Sequence, residues 1–143
     1  DKYSKASFMS KSRIKSVSQK SIQSVGIKTP HEKCQVAKLS GGNQQKVSIG
    51  KWLLSDADVF IFDEPTKGVD VGSKSEIYAL IGELAKKGMG IIYASCEFDE
   101  ILGLTDRVYI MYDGTIVKEL NTKDTTETEL LYYSAGGGLS ASS

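Results

Sequence analysis

The sequence is poor in the residues that build metal or disulfide scaffolds: its 143 residues include two cysteines and one histidine. Cys34 and Cys96 stand far apart, with no second thiol at CxxC or CxxxxC spacing, so neither a zinc site nor a disulfide framework is supported. Unpaired thiols fit a reducing cytosol. Long apolar runs are missing as well. Windows such as Gly88–Ala94 are far shorter than the roughly 20 residues needed to cross a bilayer, and no apolar signal-peptide core follows Asp1. Any membrane association is therefore expected to be peripheral. Net charge is absent too, with 18 Lys plus Arg against 18 Asp plus Glu. What is present, 40% hydrophobic and 25% charged residues over one domain's worth of chain, matches an average globular protein and argues against disorder, a collagen-like rod or a membrane bundle.

The zero sum conceals two electrostatic halves. Residues 1–50 carry 10 Lys/Arg and 2 Asp/Glu, a net +8, while residues 51–143 carry 8 and 16, a net −8. Such polarity marks a nucleic-acid or membrane-surface arm, or a basic subdomain whose partner is anionic. Motifs have to decide between these.

Along the chain, Ile14, Val17, Ser18, Ser21 and Val25 share one side of a helical wheel, giving a short amphipathic helix stopped by Gly26 and Thr29-Pro30. A loop through His31 and Cys34 follows, with His31 read as a surface histidine. A Ser-Gly-Gly turn at 40–42 leads into a helix from about Asn43 to Leu54, with Ser40 as N-cap and Val47 and Trp52 facing inward. Val59–Phe62 is a continuous apolar run, as expected for a strand buried on both faces of a parallel sheet. From Ser73 the spacing Ile77, Leu80, Ile81, Leu84 gives an amphipathic helix closed at Gly88. Ile91–Ala94 reads as a second buried strand, Asp99–Leu104 as a short helix, and Arg107–Met111 with Thr115–Leu120 as a hairpin around Asp113-Gly114. A last helix near Glu127–Tyr133 precedes a loose tail from Ser134. This alternation implies an α/β layered fold with a mostly parallel sheet and flanking helices.

Three short segments carry chemistry. Leu39-Ser40-Gly41-Gly42-Asn43-Gln44-Gln45 sets two glycines and a hydroxyl at a helix start, where unpaired amides and the positive dipole end attract anions. The same residues also suit an ordinary N-cap turn. The strand Val59–Phe62 delivers Asp63 and Glu64 at its carboxyl end, where open α/β sheets bind ligands. There Asp63 can hold Mg²⁺ and Glu64 can orient or deprotonate a water attacking a phosphoryl group. A solvated turn before Pro65 is the plainer reading. Asp70, between Gly68 and Gly72, is either a further polar group projected toward a ligand or the cap of the next helix.

Together, LSGGNQQK at 39–46, a hydrophobic strand ending in DEP at 63–65 and GVD at 68–70 resemble the ATP-binding cassette of transporter ATPases, in order and in spacing. Ser40-Gly41-Gly42 look like its signature motif, Val59 to Glu64 like the Walker B strand, and Val69-Asp70 like the D-loop. EPTKGVDVGSKSEIY and the later SCEFDEILGLTDRV resemble the second cassette of tandem ATPases that drive import of simple sugars such as ribose or galactose. The resemblance implies a partial P-loop NTPase-like domain: a helical subdomain remnant with the signature motif at 1–55, a Walker B/D-loop α/β core portion at 56–133 that ends in a C-terminal β-hairpin and helix, and a flexible tail at 134–143.

Two departures from the family pattern stand out. No GxxxxGK[ST] occurs, so the loop that cradles the β- and γ-phosphates is missing and the chain alone is expected to be inactive. At the position matching the switch histidine stands Cys96, whose thiol is a weak donor. In the family two cassettes close head to tail around two ATP molecules. The resemblance thus implies that Ser40, Gly41 and Gly42 serve ATP bound to a partner cassette, with Asn43, Gln44 and Asp70 as further nucleotide-binding residues. Asp63 for Mg²⁺, Glu64 as the catalytic carboxylate and Cys96 belong to the other site. It further implies transmembrane permease subunits and, indirectly, a sugar-binding protein as partners, at the cytoplasmic face of the membrane, with no nucleic acid. A regulatory docking module and a soluble cassette unconnected with transport are the competing readings.

Overall fold

The computed structural model describes residues 4–5, 8–55 and 57–138, the first nine of them by backbone alone where described. The chain divides into two compact units, residues 1–60 with 65–91 and residues 61–64 with 92–143.

In the first unit, two short antiparallel strands, β1 (Ser4–Lys5) and β2 (Phe8–Met9), which no sequence signal announced, precede α1 (Lys11–Val25). Helix α1 stops where glycine permits it. Gly26 takes φ 65°, and the N–H groups of Gly26 and Ile27 turn back onto the carbonyls of Gln23 and Ile22, satisfying acceptors the helix end leaves open. A single 3-10 turn, Val36–Lys38, leads to α2 (Gly41–Trp52). Helix α2 packs on α1 and on α3 (Val71–Lys86).

The inner face of α2 is Gly42, Lys46, Ile49 and Gly50, the i, i+4, i+7, i+8 stripe of a helix. That register corrects the expected role of Trp52. At 100° per residue it falls roughly a quarter-turn off the stripe, and it is 60% exposed with the Lys51 ammonium over its ring. Val47 lies to the other side of the stripe and is half-buried. Helix α3 buries Ile77, Ile81 and Leu84 as its spacing requires, and Gly88 follows it at φ 86°.

Strands β3 (Val59–Asp63) and β4 (Gly90–Ala94) are neighbours in one sheet. The bonds Gly90 N–H to Asp58 O and Glu64 N–H to Ala94 O lie at corresponding ends of the two strands, so they run parallel. The expectation that both strands are buried on both faces fails among the described residues. Phe60 and Phe62 are buried, whereas Ile61 is 72% exposed, and Val59 and Ile92 are exposed as well. Alternate side chains leave a strand on opposite faces, and among the described residues only the phenylalanine face of β3 is covered.

The second unit is built from α4 (Phe98–Leu104), the hairpin β5 (Arg107–Tyr112) and β6 (Thr115–Asn121), and α5 (Glu127–Ser134). Asp113 and Gly114, at φ 46° and 74°, form the left-handed two-residue turn whose twist matches antiparallel strands. A bulge lies between Ile110 and Met111. Ile101, Ile110 and Leu130 form its core, with Tyr93, Val108 and Val117 packed against them. The Thr126 hydroxyl caps α5 by accepting from Glu129 N–H. Ser134 ends this helix, and residues 135–138 turn back on it through bonds from Ala135, Gly136 and Gly137 to the carbonyls of Leu131, Tyr133 and Tyr132. Of the expected loose tail, residues 135–138 are turn, and residues 139–143 lie outside the described residues. Among the described residues, no helix is long and apolar enough to cross a membrane.

Candidate functional site

The site residues expected from the sequence fall into two groups, one in each unit. The first is the turn entering α2. Ser40 sits at the N-cap position with extended backbone (φ −61°, ψ 156°), and its carbonyl accepts from Gln44 N–H at 2.9 Å. Its hydroxyl makes no cap bond to the helix, contrary to the expected side-chain cap. Instead Ser40 Oγ lies 2.8 Å from Asn43 Nδ2. Gln44 Nε2 donates to Leu39 O at 2.8 Å. Ser40, Gly41 and Gln44 are exposed, Asn43 is half-buried and Gly42 is buried.

The two glycines differ in what requires them. A Cβ at Gly41 would be in ordinary contact, 3.8 Å from Gly68 O, whereas one at Gly42 would lie 2.3 Å from Ser73 Cβ and 2.5 Å from its Oγ. Gly42 is thus demanded by the approach of α2 to α3. Asp70 caps α3: its carboxylate accepts from Ser73 N–H at 2.9 Å, and the Ser73 bonds hold it below its ordinary pKa.

Beneath this turn lies a charged fork that sequence reasoning missed. Glu76 on α3 accepts from Lys28 Nζ at 2.8 Å through one oxygen and from Lys46 Nζ through the other. Lys46 also donates to Gly26 O at 3.0 Å and is only 3% exposed. Hydrogen bonds from Lys28 and then Lys46 hold the Glu76 carboxyl down to about 2, and Glu76 in turn raises Lys28. A buried ammonium needs such partners. The available signal was Lys46 itself, which stands four residues after Gly42 on the inward stripe of α2.

The second group lies at the carboxyl end of β3. Asp63 is exposed and Glu64 half-buried. Glu64 has φ 46°, a left-handed backbone uncommon for a residue with a side chain and often kept at functional positions. Its N–H donates to Ala94 O, and its Oε1 accepts from Cys96 N–H, both at 2.9 Å. The loop carrying Cys96 is itself fixed from below. Glu100, buried on α4, accepts from Tyr93 Oη at 2.6 Å and from Ser95 Oγ at 2.9 Å, and Ser95 Oγ accepts from Glu97 N–H. These supports had no sequence motif of their own. Asp63, Glu64 and Cys96 thus share one neighbourhood. Among the described residues no three His, Cys, Asp or Glu side chains group as a metal cage. Asp63 offers the hard oxygen ligands that Mg²⁺ prefers, in the pattern where one or two carboxylates act together with substrate phosphates.

The family model described as ABC transporter matches residues 4–67. The galactose/methyl galactoside import ATP-binding protein MglA of Shigella boydii is 52% identical over 127 residues, which cover 89% of this chain and 25% of that protein. The chain therefore spans about a quarter of the length of the curated relatives it matches. Among solved structures, cbiO1 from Clostridium perfringens, part of the ABC transporter complex cbiONQ, has a TM-score of 0.70 at 28% identity, covering 90% of this chain and 51% of that one. A dimeric bacterial ABC transporter cassette, MJ0796, superposes with a TM-score of 0.68 at 18% identity, covering 82% and 51% of the two chains, a likeness that speaks to fold alone. The signature-like turn, the strand ending in Asp63-Glu64 and the capped α3 lie in the order of a cassette, and these matches make the chain similar, over most of its length, to part of the ATP-binding domain of ABC transporters.

Proposed function

We propose that this chain acts within the ATP-binding subunit of a sugar importer and serves two unequal nucleotide sites. At the first, Ser40, Gly41 and Gly42 contact the γ-phosphate of ATP held by the phosphate loop of a partner cassette, with Asn43, Gln44 and Asp70 alongside. At the second, Asp63 holds Mg²⁺ and Glu64 orients the attacking water. The bound Mg²⁺ would neutralise charge on the β- and γ-oxygens. Permease subunits and, through them, a sugar-binding protein complete the assembly, with the cassette peripheral at the cytoplasmic face. The sugar-import name of its relatives, at 52% identity over most of the chain, supports the substrate class. The lack of a GxxxxGK[ST] motif leads us to infer that the chain alone does not turn over ATP.

The observation that carries the asymmetry is the Glu64–Cys96 contact. Where active cassettes place a switch histidine, this chain presents a main-chain N–H to the Glu64 carboxylate at 2.9 Å and a thiol, a weak donor, in place of an imidazole. The second site is accordingly a slow one. In the assembled two-cassette protein, Ser40→Arg abolishes ATPase activity and transport, because the arginine fills the space of the γ-phosphate, while Glu64→Gln is much milder. Equal loss from both substitutions would falsify the asymmetry.

A further inference from the structure

The hydrogen bonds around the turn entering α2 fix the direction of a proton. Lys28 N–H, 2.7 Å from Asn43 Oδ1, can only donate, so the carbonyl end of the Asn43 amide must face it. The other end, Nδ2, then faces Ser40 Oγ at 2.8 Å. An amide NH₂ has no acceptor capacity, so Ser40 Oγ is the acceptor in that contact. The Ser40 O–H is left to point elsewhere. It makes no cap bond to the helix, and among the described residues no acceptor engages it.

We propose that Asn43 is a positioning residue that presents the Ser40 hydroxyl as a hydrogen-bond donor to the terminal phosphate of a nucleotide. The inference rests on the assignment of Ser40 to a nucleotide held by a partner cassette. It also changes the part given to Asn43, from touching the nucleotide to aiming the group that does. The segment that orients Asn43 is anchored at Lys28 itself and at Gly26 before it. The Lys28 side chain is bound to Glu76, and Lys46, bound to the same carboxylate, holds Gly26 O two residues earlier. The amide has therefore one orientation, set by a main-chain N–H that cannot reverse.

The test is a double-mutant cycle on ATPase kcat/KM in the assembled two-cassette protein, with melting temperature as the check on folding. Asn43→Ala removes the amide without adding charge. A donor to an anionic group is worth about 10- to 100-fold when lost, so Ser40→Ala is expected to lower kcat/KM by about tenfold or more. Asn43→Ala should lower it several-fold, and the double variant should match Ser40→Ala within about twofold, since an aimed hydroxyl that is absent cannot be misaimed. Asn43→Asp supplies an independent reading. It keeps the acceptor for Lys28 N–H and adds a negative charge near a helix N-terminus, which favours folding, yet its carboxylate captures the Ser40 proton. Activity should fall while melting temperature holds or rises. The proposal is overturned if Asn43→Ala works at the wild-type rate, if its loss multiplies in full with that of Ser40→Ala, or if Asn43→Asp keeps wild-type activity. Wild-type turnover by both Ser40→Ala and Ser40→Arg would instead remove the nucleotide-contact reading, and the proposal with it.

Discussion

At the scale of single residues, Gly42 and Glu64 are constrained for opposite reasons. Gly42 lacks a side chain because Ser73 occupies that space. Gly42→Ala drives a Cβ against another Cβ, which cannot swing away, and overpacking of this kind costs about 1–3 kcal/mol. A lowered melting temperature for Gly42→Ala, partly restored by Ser73→Gly, is the expected result, and a Gly42→Ala protein as stable as wild type would refute the packing argument. Glu64 keeps a side chain despite a backbone that glycine would adopt more easily, because its carboxylate is bound to the Cys96 main chain. The motif residues were legible because their types and spacing follow from phosphate chemistry. Their supports were not. Glu76 is a helical glutamate among other exposed charges, and only the folded chain brings Lys28 and Lys46 to it.

At the scale of elements, α5 shows how little of a short helix carries its attachment. Leu130 is 2% exposed within the core of the second unit, while its neighbour Leu131 is 58% exposed. Leu130→Ala is expected to destabilise by about 2–5 kcal/mol, and Leu131→Ala to stay within about 0.5 kcal/mol, both read from chemical unfolding. Equal effects would mean that α5 is attached by some other face. Helical spacing located α1 and α3, closed at Gly26 and Gly88, and the Asp113-Gly114 pair located the hairpin, since these signals are local in sequence. They failed where burial depends on what lies across a face. Val59 and Ile61 are as apolar as Phe60 and Phe62, so composition could not tell which face of β3 is covered. Trp52 misled for a related reason, because its size suggested burial although the phase of α2 sets it aside.

At the scale of the whole molecule, a balanced charge count hides local dependence on pH and salt. The Glu76 carboxyl titrates at about 2, below the 4.5 ordinary for glutamate. Its contribution to stability is therefore fully present above the ordinary range and is lost as pH falls from there toward 2. Glu76→Gln, which keeps the shape without the charge, should flatten the part of acid destabilisation that belongs to this carboxylate. Parallel curves of melting temperature against pH for the two proteins would rule the linkage out. The division of charge into a +8 and a −8 part was visible in the sequence, but the neutral sum gave no hint that one glutamate of the acidic part binds two lysines of the basic part.

Those two lysines also differ in their access to water. The Lys28 side chain is 75% exposed and that of Lys46 only 4%. Between 0.1 M and 1 M salt the screening length contracts from about 10 Å to about 3 Å, an effect felt by the exposed arm of the fork and scarcely by the sheltered one. High ionic strength thus loosens the hold of Glu76 on Lys28, while Lys46 keeps α2 tied to α3 and to Gly26 O, separating by solvent alone two ion pairs that a substitution at Glu76 would remove together.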